Sequence, residues 1–103
     1  MNTYHGIRTD QGCAVTVNRI ELNPRLDLRN HSPSGFEWGY EGSGPAQLAL
    51  AILAYEFDDS MAQAYYQIFK REVICNLARD RWTLTSTEIT TALEKIKVAD
   101  DDL

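Results

Sequence analysis

Residues 48–54, LALAILA, most strongly constrain the fold, because they form a run that is apolar on every side of a helix. Such a helix is stable in water only when other elements surround it, so it must lie at the centre of a core. Pro45 suits the first turn, where a missing amide hydrogen costs nothing, and Ser43 or Gly44 is the expected N-cap. We predict a central buried helix that ends near Phe57.

Two further helices are predicted after the central one. Asp58, Asp59 and Ser60 should end the first helix and cap the second. The inward face of the second helix is expected to carry Met61, Tyr65, Ile68, Phe69, Val73 and Leu77. After a turn at residues 80–84, Thr85 and Glu88 match a capping box that starts a third helix. The inward stripe of that helix is predicted to be Ile89, Leu93 and Ile96, before an acidic tail at residues 100–103 that should fray.

The N-terminal third reads as a small antiparallel sheet followed by a long structured loop. Residues 13–20, CAVTVNRI, are rich in β-branched side chains and form one strand of a predicted hairpin, with Gly12 supplying the positive φ of its turn. Pro24 should interrupt the sheet, because it lacks an amide hydrogen. The sequence therefore predicts a single α+β domain over residues 1–99: an N-terminal hairpin or small sheet, a loop, then three helices.

Composition and charge exclude several classes of protein. The chain has 103 residues, of which 44% are hydrophobic and 24% charged, as in an ordinary globular domain. The longest apolar run is too short to span a membrane and no leader opens the chain, so we expect a cytoplasmic protein without membrane contact. The net charge is −5, and residues 37–62 contain no Lys or Arg. Direct nucleic-acid binding is disfavoured, whereas a protein partner with a basic surface would suit this segment. A solvated acidic face is the alternative.

No catalytic set, metal site or cofactor site is predicted. Cys13 and Cys75 lack a CxxC spacing and are expected to be reduced, and they form no metal-binding pattern with His5 or His31. Paired carboxylates, such as Glu37 with Glu41 and Asp58 with Asp59, are more typical of caps and solubilising charges than of acid–base chemistry.

The segment that precedes the central helix, residues 36–44, is the predicted candidate site, since its glycines imply that something lies close to the backbone. Amides at Gly42, Ser43 and Gly44 could bind an anion at the helix start, with Arg29 as countercharge, although the spacing is not that of a phosphate-binding loop and Glu37 and Glu41 would repel a phosphate. The alternative is a capped structural turn.

Aromatic residues alternate in the same segment. Phe36, Trp38 and Tyr40 would face one way on an extended chain, either as a lid on the core or as an exposed patch for a protein partner.

Three stretches carry a resemblance to a known family: RLDLRNHSPSGFEWGYEGSGPAQLALAIL, a Tyr-Gln-x-Phe-Lys helix, and Trp-x-Leu-Thr at Trp82. With them the chain resembles a small uncharacterised bacterial and mobile-element family, a domain of unknown function. This sequence has Glu41 where relatives often have glycine, which weakens the case for a phosphate cradle. The resemblance implies no activity and no catalytic residue, and at most an accessory or anti-defence role, as in phage.

These observations predict a non-enzymatic, small acidic binding protein that occupies a macromolecular partner. The candidate contact residues are Arg29, Phe36, Glu37, Trp38, Tyr40, Glu41, Gly42, Ser43 and Gly44. Two alternatives remain open, a protein that binds a small anionic ligand at the helix start and a structural or homo-oligomer-forming module.

Overall fold

The computed structural model describes residues 1–101 and has the predicted α+β architecture. Four strands and three helices follow one another, with a short 3₁₀ turn at Ile74–Asn76 before the last strand. Their bounds are β1 (Thr3–Thr9), β2 (Gly12–Val17), β3 (Ile20–Glu21), α1 (Ser43–Glu56), α2 (Asp59–Glu72), β4 (Arg81–Thr85) and α3 (Ser86–Asp101). Helix α3 includes the first two residues of the predicted frayed tail, and the other two lie outside the described residues.

The strands form one antiparallel sheet in the order β3-β2-β1-β4. The predicted hairpin of β1 and β2 is confirmed, and Gly12 in its turn has φ of +118°. The turn predicted at residues 80–84 is wrong, because Arg81–Thr85 form β4, which pairs with β1. Trp82 and Leu84 are buried and alternate with exposed Arg81 and Thr83, the period of a half-buried strand.

The second predicted strand, residues 13–20, is broken by a tight turn. Asn18 and Arg19 have φ of +51° and +71°, and the chain folds back so that Val17 pairs with Ile20. Two-residue hairpin turns of this type need positive φ at both positions, and a glycine usually occupies one of them. The Asn-Arg pair lacks that glycine, so the turn was not predicted. Strand β3 ends at Glu21, before Pro24, as expected.

Helix α1 is the predicted axis of the core, and every residue from Gly44 to Ala54 is buried. One face of the sheet packs towards it through Tyr4, Val15, Val17, Trp82 and Leu84, and Gly6 leaves the space that the Trp82 indole occupies. Asp58 caps α2 by accepting a hydrogen bond from the Met61 amide at 2.8 Å. Helix α2 stops at Glu72, so Val73 and Leu77 of the predicted stripe lie beyond it.

Helix α3 begins and packs as predicted. The Glu88 carboxylate accepts from the Thr85 amide at 3.1 Å, and the Glu88 amide donates to the Thr85 hydroxyl at 3.3 Å, so the capping box is confirmed. Ile89, Leu93 and Ile96 are buried.

The N-terminal segment and the start of α3 are tied to the last turn of α1. Oε1 of Glu56 accepts hydrogen bonds from the Tyr4 hydroxyl at 2.8 Å, the Asn2 amide group at 3.0 Å and the Ser86 hydroxyl at 3.0 Å. Burial, reinforced by the hydrogen bond to Glu56, raises the pKa of Tyr4 well above its ordinary value. The Tyr4 hydroxyl is therefore a protonated donor throughout the neutral range.

Candidate functional site

The predicted close approach to the backbone of residues 42–44 is made by the protein's own chain. A Cβ placed on Gly44 would lie 2.6 Å from Cβ of Glu37 and 3.2 Å from its backbone nitrogen. A Cβ on Gly42 would lie 2.8 Å from the ring of Tyr40. The glycines therefore let residues 37–40 pack across the start of α1, which favours the structural-turn alternative for this segment.

The cap of α1 is not at the predicted residue. Gly42 is the N-cap, in an extended conformation and without a side-chain hydrogen bond, and its carbonyl accepts from the Ala46 amide at 3.0 Å. The expected caps, Ser43 and Gly44, lie inside the first turn instead. Pro45 is in that turn as predicted. A proline there fixes the turn but not the capping residue, because several amides at a helix start lack helical partners.

Glu37 forms a two-pronged ion pair with Arg8 of β1. Its oxygens lie 2.8 and 2.9 Å from the two terminal guanidinium nitrogens. Hydrogen bonds from Arg8 hold the pKa of Glu37 below its usual range. Nε of the same guanidinium donates to the Arg79 carbonyl at 3.1 Å. The carboxylate thus joins the loop to the sheet.

The three alternating aromatic residues do not face one way, which corrects the prediction for this segment. Trp38 is buried, Phe36 is half-buried, and Tyr40 is exposed. Gly39, with φ of +85°, interrupts the extended chain on which the prediction depended. The ring of Trp38 stands edge-on to Trp82, with centroids 5.5 Å apart, and its Nε1 donates to the Arg79 carbonyl at 2.9 Å. Trp38 therefore belongs to the core.

Gln47 is the residue that sequence reasoning missed. It is fully buried on α1 and makes four hydrogen bonds to the backbone of the long loop. Its Oε1 accepts from the amides of His31 at 2.8 Å and Ser32 at 3.2 Å. Its Nε2 donates to the carbonyls of Pro24 at 2.5 Å and Arg29 at 3.0 Å. A lone glutamine in an otherwise apolar helix is the signal that could have identified it.

Arg29 and Glu41, also predicted at the site, serve elsewhere. Arg29 is exposed and contributes its carbonyl to Gln47. Glu41 lies 3.8 Å from Lys70 of α2, at the limit of an ion pair. Neither residue therefore contributes to an anion site at the start of α1.

The acidic stretch is largely engaged with groups of the same chain. Glu37 and Glu41 pair with Arg8 and Lys70, and Glu56 accepts hydrogen bonds from three side chains, as described above. Asp58 caps α2, and Asp59 pairs with Arg25 at 3.0 Å. Arg25 also binds Asp27 at 3.0 Å. Because exposed pairs of this kind are satisfied locally, the stretch is a less open acidic surface than its sequence suggests.

Neither a cluster of metal-ligating side chains nor a membrane-spanning helix is found in the part of the chain that the structure describes. No group of three or more His, Cys, Asp or Glu side chains is placed there to hold a metal ion. Over the same residues, no helix combines the length and apolar character that crossing a bilayer would require. Cys13 and Cys75 are free thiols.

An open groove lies between α2 and α3. It has a volume of about 650 Å³, and its apolar lining is Ile68, Val73, Ala92, Ile96 and Ala99. Its polar lining is Thr87, Thr91, Glu72, Glu88 and Lys95. An apolar groove between two helices is a common receptor for a third helix. The sequence did not predict it, because an amphipathic stripe identifies the buried face but not which outward face is left uncovered.

The acidic and basic side chains that line the groove lie at different positions along its length. Lys97 of α3 lies 5.6 Å from the ring centre of Tyr65 in the middle of α2, whereas Val73, just beyond α2, shares the groove with Thr87 at the start of α3. The two helices therefore run antiparallel, and Glu72 and Glu88 share one end of the groove. Lys95 lies seven residues after Glu88, about 10 Å along the axis of α3.

Comparison with known proteins adds a family. Residues 4–95 match the model described as "Family of unknown function (DUF6166)". The chain belongs to this family. No curated protein and no solved structure matches it. Membership in the DUF6166 family covers the sheet, the junction and most of α3, and confirms the resemblance to an uncharacterised domain.

Proposed function

We propose that this member of the DUF6166 family is a non-enzymatic binding protein that acts by occupying a protein partner. The observation that carries the proposal is the open apolar groove between α2 and α3. The junction at residues 36–44, in contrast, is filled by the protein's own side chains. An accessory role in mobile elements or phage, including anti-defence, is the biological setting that the sequence resemblance suggests.

The side chains that line the groove indicate the chemistry of the segment that would bind there. Its apolar residues suit the apolar face of a helical segment, since such a face is buried by a groove of this kind. Glu72 and Glu88 favour a basic group at one end of that segment, and Lys95 favours an acidic group further along. The partner with a basic surface, expected from the acidic segment at residues 37–62, is in this proposal a protein that offers a helix with a basic end.

Two adjacent threonines provide a matched test. Thr91 lines the groove, whereas Thr90 is exposed on the same helix and does not line it. The variants Thr91→Glu and Thr90→Glu make the same chemical change one residue apart, and neither should unfold the protein. Both are compared with the wild type for protein partners captured from a bacterial lysate with chemical cross-linking.

A partner that is lost with Thr91→Glu and kept with Thr90→Glu supports the proposal. A partner that survives both variants but is lost with Tyr40→Ala would move the contact to the junction and refute the groove. Nucleotide or phosphate titration that shifts the amide signals of residues 42–46 would instead favour the small anionic-ligand alternative.

A further inference from the structure

We infer that the helix that occupies the groove is α3 of a second copy of this chain, so that the protein forms a two-fold symmetric dimer. This inference rests on the proposed function, because it names the partner of the same groove. It accounts for a property that a groove for an unrelated helix would not need, namely that two of its three charged lining residues, Glu88 and Lys95 of the same helix, are complementary to each other.

Self-complementarity follows from the order of charges along α3. When a second α3 runs antiparallel and the two-fold axis lies between Thr91 and Ala92, Glu88 falls opposite Lys95 of the partner subunit. The symmetry repeats this pair on the other side, as an isologous interface requires.

Small side chains at the centre permit close contact. Thr91 and Ala92 flank the axis, and residues of this size let helix axes approach to about 8 Å. The two α3 dipoles would also be opposed, which is favourable. Because the residues between Thr87 and Ala99 span only about 18 Å of helix, the contact should lie at the small end of stable interfaces.

Sedimentation velocity of the full chain over a range from about 1 to 500 µM tests the dimer. Wild type should pass from monomer to dimer within this range. Lys95→Glu places two carboxylates opposite each other twice per dimer and should weaken association about tenfold or more. Thr91→Glu, next to the axis, should weaken it at least as much. Glu94→Lys and Thr90→Glu lie off the groove and should change it less than about twofold.

A charge exchange makes the test specific for this alignment. Glu88→Lys alone should also weaken association, but a mixture of Glu88→Lys with Lys95→Glu should associate, because each chain then offers the charge that the other lacks. Since Glu88 also caps α3, circular dichroism must first show that this variant is folded; if it is not, Glu88→Gln keeps a capping amide and should still weaken the wild-type dimer.

Three outcomes would overturn the inference: a monomer at every concentration, a dimer that Thr91→Glu leaves intact, and folded exchange variants whose mixture stays monomeric. A monomeric wild type that still captures a partner lost with Thr91→Glu removes only the inference. Failure of both experiments removes the proposed function as well.

Discussion

Replacing Gln47 by leucine should show how much this buried side chain contributes to holding the long loop on the core. Gln47→Leu nearly preserves volume but removes the amide that makes four part-buried hydrogen bonds to the backbone, with the N–H groups of His31 and Ser32 and the carbonyls of Pro24 and Arg29. Each buried polar group left unpaired costs about 1–3 kcal/mol. The loop can shift to regain water, so the lower bound applies and we expect a loss of about 4 kcal/mol.

That loss is a large share of the free energy of unfolding of a domain this size, about 5–15 kcal/mol, and should lower the melting temperature by roughly 20 °C. Urea unfolding followed by tryptophan fluorescence measures it, and hydrogen exchange should show faster exchange of the His31 and Ser32 amides. Gln63→Leu, on the exposed side of α2, is the control and should stay within about 0.5 kcal/mol of wild type. A loss below about 1 kcal/mol for Gln47→Leu would refute the role assigned to this residue.

Three further changes test the packing of Gly44 against Glu37, the turn at Arg19 and the hydrogen bond from Tyr4 to Glu56. Gly44→Ala should destabilise by about 1–2 kcal/mol in urea, because its methyl group meets Glu37, and equal or greater stability would contradict the contact. Arg19→Gly should raise the free energy of unfolding by up to about 1 kcal/mol, measured by thermal unfolding, because glycine adopts the positive φ of this exposed turn without strain. A lower free energy of unfolding would mean that contacts of the Arg19 side chain outweigh the backbone strain. The raised pKa of Tyr4 stabilises the folded state below the ordinary tyrosine pKa of about 10, and this stability is lost as pH rises further. Wild type should therefore lose stability above pH 10 more steeply than Tyr4→Phe, and parallel pH profiles for the two proteins would rule this out.

Local signals predicted much of the fold. The apolar run of α1, the capping box of α3, the cap at Asp58 and the glycine turn after β1 each depend on residues close together in the sequence, and each was predicted correctly. The turn at Asn18 and Arg19 was missed because neither residue is the glycine that usually marks it. Strand β4 was missed because its partner lies at the other end of the chain, where no local pattern reaches.

The close packing before α1 was predictable in place, but the group that packs there was not. The glycines before α1 correctly indicated a close approach to the backbone, yet the approaching group, Glu37, is fixed by Arg8 from a distant strand. Gly39 redirected the aromatic side chains, so Trp38 entered the core while Tyr40 stayed exposed. The groove depends on how far α3 stands from α2, a property of the whole packing arrangement.

The position of β1 between β2 and β4 has a consequence for how the protein folds. Thr3 pairs with Thr85, so the sheet joins segments about 80 residues apart, and closing so long a loop costs entropy that only the finished core repays. During synthesis the first hairpin is available early, but its free edge must wait until residue 85 has left the ribosome. Until then β1 offers an unpaired edge to other chains, and aggregation should compete with folding most strongly in that interval.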